Sequence, residues 1–315
     1  MLPLAHKHDA YVVAPDLRGY GRTTGWDASD TSSFRMFNLV TDVITLVYSL
    51  GYNVVECLIG HDFGSRVGAY CALVRPDLFT STVIMSAPFP GPVSFPPSPS
   101  GPNVSQTLSE LQQLTPPRKH YAQYFSDPSL VANKDMMSPP QGLHSFFLGY
   151  FHMKSADWPG NEPRPLQGWS ASELAKLPDY YVMPADKSMP QVVLSSTPSV
   201  IPSWLTDEEL DVFVAEYTRT TFQGGLNYYN YRILPQPELF AFMNKRVDVP
   251  VLFIAGEKDW GMYQAPGEIN RMRIACTKMA PGDEGCKVVK GAGHWVQQEN
   301  PEEVVHIISD FLSKL

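Results

Sequence analysis

Three residues of a kind that together can open a carbon–oxygen bond occupy similar places along the chain. Asp62 sits in Gly60-His61-Asp62-Phe63-Gly64, where the apolar run Val54-Val55-Glu56-Cys57-Leu58-Ile59 gives way to helical spacing. Small residues two places either side of a nucleophile mark the nucleophile elbow, here with aspartate at its centre. Gly60 and Gly64 are expected to let strand and helix approach closely and to hold the central side chain up in a strained turn. Asp259 follows Pro250-Val251-Leu252-Phe253-Ile254-Ala255-Gly256, and His294 lies in Gly291-Ala292-Gly293-His294-Trp295 after Cys286-Lys287-Val288-Val289. A carboxylate at such an elbow attacks carbon to form an ester, and a histidine oriented by a second carboxylate activates the water that cleaves it.

Each match alone has a bland reading. Asp62 could sit in an ordinary strand-to-helix turn, and Asp259 could cap a helix. Three matches in the order nucleophile, acid, histidine, each at the carboxyl end of a strand, are far more specific. Of the eight histidines only His294 follows a strand with Gly-x-Gly before it; the other seven read as surface, packing or turn residues.

The elements that must position these groups follow from periodicity. The first eight residues read like a helix end, and Tyr11-Val12-Val13-Ala14-Pro15-Asp16 as a buried strand left by the loop Arg18-Gly19-Tyr20-Gly21-Arg22. Met36, Leu39, Val40, Val43, Val47 and Leu50 recur at helical spacing, with Gly51 at the cap position. Val67, Tyr70, Cys71 and Val74 continue one face of the helix after the elbow, which should stop before Pro76. Thr82-Val83-Ile84-Met85-Ser86-Ala87 is the next strand. Strand and helix alternating at this pace indicate a parallel α/β sheet, whose ligands gather at the carboxyl ends of its strands.

The alternation breaks at Pro88, where Pro90, Pro92, Pro96, Pro97, Pro99 and Pro102 form a stiff linker. It resumes near Val249. The expected division is a first core part at residues 1–90, a helical cap at 91–246 and a second core part at 247–315. The cap is rich in aromatics, most of them packing residues. Asn300-Pro301-Glu302-Glu303 should cap the last helix, which buries Val304, Ile307, Ile308 and Phe311.

Composition excludes several classes. A net charge of −8 gives no reason to expect nucleic acid or an anionic membrane as partner. No apolar run reaches the roughly eighteen residues of a membrane span. Four cysteines, Cys57, Cys71, Cys276 and Cys286, lack zinc spacing and read as reduced thiols, with a Cys276–Cys286 pair as the alternative.

Taken together, these pieces resemble the soluble epoxide-hydrolase branch of the α/β-hydrolase superfamily over nearly the whole chain. The matching motifs are Val13-Ala14-Pro15-Asp16-Leu17-Arg18-Gly19-Tyr20-Gly21, the elbow, Gly256-Glu257-Lys258-Asp259 and the His294 loop. In the cap, Tyr121-Ala122-Gln123-Tyr124-Phe125-Ser126-Asp127-Pro128 and Phe222-Gln223-Gly224-Gly225-Leu226-Asn227-Tyr228-Tyr229 look like the family's two tyrosine segments. The resemblance implies an α/β-hydrolase fold with an inserted helical cap. It implies Asp62 as nucleophile, His294 and Asp259 as the water-activating pair, and Tyr121 and Tyr229 as the phenols that catch the epoxide oxygen. Tyr124 and Tyr228 are the competing assignments. It further implies the Phe63 backbone N–H as an oxyanion donor, Phe63 and Trp295 as substrate contacts, and neither metal nor organic cofactor. The implied substrate is a small apolar epoxide or related small molecule, and the implied assembly a monomer or homodimer.

One departure from the pattern is large. The family carries three more strands and a His-Gly-x-Pro loop upstream of the residues matched here, so a truncated N-terminus is expected, with poor folding or slow turnover of residues 1–315 alone. A cytoplasmic location is the default, left open for the same reason. The competing functional readings are a dehalogenase-type hydrolase, which needs a halide-binding group such as tryptophan where Phe63 stands, and an inactive ligand-binding α/β-hydrolase. A serine esterase is disfavoured by Asp62 itself.

Overall fold

The computed structural model describes residues 2–95, 103–232 and 236–315. Its main sheet is wholly parallel. β1 (Leu58–His61) pairs with β2 (Thr82–Met85), and β2 with the long β5 (Val247–Gly256). The far edge of β5 is shared by β6 (Cys276–Met279) and β7 (Cys286–Val289). A separate antiparallel pair, β3 (Arg118–His120) and β4 (Val182–Pro184), lies between them in sequence.

Alternation along β5 shows how the sheet is covered on both faces. Val249, Val251, Phe253 and Ala255 pack with Ala69, Ala72 and Leu73 of the elbow helix (Phe63–Val74) and with Met272. Leu252 and Ile254 face the other way, onto Val304, Ile307 and Ile308 of the final helix (Pro301–Leu312) and Leu4 of the first (Leu2–His8). Burial on both faces is why the strands read as continuous apolar runs. The final helix begins as expected, with the Asn300 side chain accepting from the Glu303 amide and Pro301 in the first turn.

The helices between β2 and β5 carry their own core. Phe146, Phe147, Phe151, Tyr180, Tyr181, Met189, Val193 and Leu210 belong to one buried cluster, joined from the sheet side by Trp260. Of the linker prolines, Pro96, Pro97, Pro99 and Pro102 lie outside the described residues. The four cysteines are free.

One expected element is absent. Residues 11–16 form no strand, and Tyr11 and Val13 are 69% and 41% exposed. Among the described residues β1 pairs with β2 only, so nothing beside residues 11–16 offers a hydrogen-bond ladder, and an extended apolar run without one stays irregular. The following loop is nevertheless well held. Arg18 donates twice to the Asp42 carboxylate, at 2.9 and 2.7 Å, and its carbonyl accepts from the Tyr228 hydroxyl at 2.8 Å. Gly19 meets Gly224 backbone to backbone: a Cβ on Gly224 would fall 2.3 Å from the Gly19 oxygen. The loop thus serves as the seat of the second tyrosine segment.

Candidate active site

Asp62 is the residue between β1 and the elbow helix, at φ 52° and ψ −114°, outside the conformations ordinary side chains adopt. Its surroundings enforce the turn. The Asp62 amide donates to the Met85 carbonyl at 3.1 Å, and the buried Ser65 hydroxyl donates to the Gly60 and Met85 carbonyls while accepting from the Met85 amide. A Cβ on Gly60 would lie 2.1 Å from the Gly64 oxygen, whereas one on Gly64 would meet nothing within 4 Å. Only the first of the two glycines is therefore demanded by the close approach.

The three separated motifs converge. His294 Nε2 is 3.1 Å from an Asp62 carboxylate oxygen, and His294 Nδ1 is 3.2 Å from Asp259 Oδ1. Asp259 leaves the end of β5, and its Oδ1 also accepts from the Gly261 amide at 2.7 Å, so the helix-cap reading holds as well. The His294 and Asp259 side chains are 3% and 1% exposed, while that of Asp62 is 40% accessible. The histidine and Asp259 are sealed, and the Asp62 carboxylate is open.

Electrostatics follow this geometry. Burial by itself would raise the Asp62 carboxyl, but the hydrogen bond and charge of His294, with Lys154 and His61, hold it far below the usual carboxylate range. Burial likewise favours neutral Asp259, and the His294 imidazole more than offsets it. Burial and Lys154 act to lower His294, yet the two carboxylates leave it above its ordinary value. His61 goes the other way, down to about 4, through burial and the neighbouring His294.

The four candidate phenols separate cleanly. The Tyr121 and Tyr229 rings meet edge to face at 5.5 Å, and Tyr229 also packs on Phe63 at 5.4 Å. Tyr121 Oη donates weakly to Gln264 at 3.4 Å. Burial and the nearby Tyr121 and Asp62 push the Tyr229 hydroxyl well above its ordinary pKa, so it stays a proton donor. Tyr228 is committed to the Arg18 carbonyl. Tyr124 donates to Asp135 at 2.6 Å and lines a different, polar cavity of about 650 Å³. An apolar cavity of about 270 Å³ runs between Tyr20, Tyr150, Phe151, Phe222, Tyr229 and Trp295, and adjoins Asp62 and His294 through Tyr229 and Trp295 rather than being lined by them. Trp295 stands beside His294 at 4.8 Å, with its indole N–H given to the Phe151 carbonyl at 2.8 Å.

Several residues at the site carried no sequence signal of their own. His61, grouped with the packing histidines, does pack, but against His294 at 4.9 Å, and its Nε2 lies 2.7 Å from the His294 carbonyl. Glu299 accepts from the backbone amides of Ala156, Gly293 and Trp295 at 2.7, 2.9 and 3.0 Å, fastening the loop that carries His294 to residues of the helical segment. The Lys154 carbonyl accepts from the His294 amide at 2.9 Å. Only adjacency to the elbow could have drawn attention to His61; Lys154 and Glu299 arrive through long-range folding. Among the described residues no group of three or more His, Cys, Asp or Glu is placed to hold a metal, and no helix is long and apolar enough to cross a membrane.

Known proteins of similar sequence and fold include several epoxide hydrolases. Epoxide hydrolase B of Mycobacterium tuberculosis is 28% identical over 324 residues, covering 96% of this chain and 84% of that protein. Epoxide hydrolase 3 of Siraitia grosvenorii is 28% identical over 307 residues, covering 96% and 83%. A laboratory-evolved variant of potato epoxide hydrolase superposes with a TM-score of 0.71 at 27% identity, over 96% of this chain and 83% of its own. Residues 1–199 match the family model described as the alpha/beta hydrolase family. With a parallel sheet wound on both faces and an elbow, acid and histidine at its carboxyl end, this chain belongs to the alpha/beta hydrolase family.

Proposed function

We propose that the protein opens epoxides to vicinal diols through a covalent ester on Asp62. The observation that carries this reading is the placement of His294 between Asp62 and Asp259, with the open carboxylate facing a cap whose Tyr121 and Tyr229 rings adjoin. The names of the relatives support the substrate class. The division into core residues 1–90 and 247–315 with a cap at 91–246 belongs to the same proposal.

The steps balance as follows. An Asp62 oxygen attacks one epoxide carbon, the carbon–oxygen bond breaks, and the departing alkoxide takes a proton from Tyr121 or Tyr229. Phenols suit this role because they donate without being ionised at neutral pH. His294, oriented by Asp259, then removes a proton from water, and the resulting hydroxide adds to the Asp62 ester carbonyl. The Phe63 amide, at the positive end of the elbow helix, stabilises the oxyanion. Collapse expels the diol oxygen, which is protonated by His294, and the proton left on the Asp62 carboxyl returns through solvent to the phenolate. Asp62 is left carrying the oxygen that came from water. The engaged Trp295 indole and the Phe63 side chain beside the nucleophile offer no halide donor, which weighs against dehalogenation.

A single turnover of styrene oxide in oxygen-18 water should place label in Asp62 rather than in the first diol released. His294→Gln should trap the ester as a mass increment on the peptide containing Asp62. Unlabelled Asp62 together with no trapped ester defeats the proposal.

A further inference from the structure

Lys154 is 6% exposed, although a lysine is rarely buried without an anionic partner. Among the described residues its ammonium makes no ion pair and no hydrogen bond; its polar surroundings are ring faces instead. Tyr150, Tyr181 and Trp295 have their centroids 5.4 to 5.5 Å from Nζ, and Tyr180 lies at 6.0 Å. Such a cage stabilises the charge and leaves the three N–H donors unused. Two cage rings, Tyr150 and Trp295, also line the apolar cavity, which itself has no charged residue in its wall. A third, Tyr181, packs on Tyr121 at 5.2 Å. The ammonium is therefore beside the reacting groups but more than 4.0 Å from the Asp62 carboxylate, too far for a direct pair.

We propose that the caged Lys154 ammonium is an anion subsite, and that the preferred substrates are epoxides carrying a carboxylate close to the ring. The proposal rests on the epoxide reading. An aliphatic or aromatic body fills the apolar cavity, the epoxide oxygen meets the phenols, and the carboxylate takes the hydrogen bonds that the cage cannot accept. Lys154 also bears on Asp62 and His294 electrostatically, lowering both. That influence acts alike on a charged substrate and its neutral amide, so the ratio of their rates separates it from substrate recognition.

The test is the ratio of kcat/KM for 3-phenylglycidate to that for its primary amide. From wild type to Lys154→Met the ratio should fall about 30-fold, the value of a charge-assisted hydrogen bond. In Lys154→Arg it should fall less than tenfold, since the cation remains. Lys154→Gln reads the same ratio if Lys154→Met does not fold. A uniform loss on both substrates, with the ratio unchanged, overturns the subsite and assigns Lys154 to the Asp62–His294 pair alone. If neither epoxide is opened, the epoxide reading fails and the subsite is judged by calorimetry with phenylacetate and phenylacetamide. Tighter binding of the anion in wild type but not in the uncharged variant upholds the subsite, and equal affinities overturn it.

Discussion

The sheet and the helical segment above it hold their site residues in different ways. Asp62 is fixed by backbone: a strained φ, a glycine with no room for a Cβ, a serine that bonds three main-chain groups, and a strand on which β2 is in register. Tyr121 and Tyr229 are fixed by side chains, ring against ring, with Phe125 within 5.4 Å of one and 5.0 Å of the other. Backbone fixation tolerates no change of reach, because a longer side chain cannot recruit a shift of the turn. Ring packing tolerates exchange of a hydroxyl for hydrogen, because shape is kept. On the proposed mechanism Asp62 should thus be a single point of failure, and Tyr121 and Tyr229 a partly redundant pair.

The sharpest test of that contrast is Asp62→Glu. Kinetic assay should show it nearly as inactive as Asp62→Ala, with both about 10⁴-fold or more below wild type; a glutamate variant retaining a tenth of the activity would break the contrast. Next, Tyr121→Phe and Tyr229→Phe should each cost about tenfold in kcat and the double variant about 10³-fold, the range of general-acid catalysis. Double-variant losses no greater than the single ones would show that only one phenol acts. On stability, Gly60→Ala should cost about 3 kcal/mol or more in urea melts, as overpacking against backbone does. Gly64→Ala, whose Cβ has open space within the elbow helix, should fall within about 1 kcal/mol of wild type.

The smallest effect is in pH. His294 has a raised pKa in the fold, so the stability its protonated form contributes is fully present below 6.5 and is lost as pH rises through the folded value. Relative to His294→Gln, the wild-type melting temperature should therefore decline above pH 6.5. A proton NMR titration of the His294 ring should have its midpoint above 6.5; one below would mean that burial and Lys154 outweigh the two carboxylates.

Much of the sheet was legible because its elements are locally consistent. The helices at Met36–Ser49 and Phe63–Val74, strands β2, β5 and β7, and the cap of the final helix all follow from periodicity, proline and glycine. The short β6 was not anticipated, since Cys276-Thr277-Lys278-Met279 alternates too briefly to stand out. Residues 11–16 misled for the opposite reason: the composition is that of a strand, but a strand exists only beside a partner. Asp62, Asp259 and His294 were singled out because each follows a strand, and the topology brings strand ends together. Lys154 and Glu299 gave no such signal, for their position depends on how the helical segment docks, and no local pattern encodes docking.

The contact between Gly19 and Gly224 has a mechanical meaning. Two main chains 205 positions apart touch with no side chain between them, so this junction has no compressible layer and cannot close further. Arg219 donating to the Gly21 carbonyl and Asn227 donating to the Ala28 carbonyl, at 2.7 and 2.8 Å, brace it on either side. Such a junction resists sliding of the second tyrosine segment over the loop, and Tyr229, a few residues beyond Gly224, is held against Phe63.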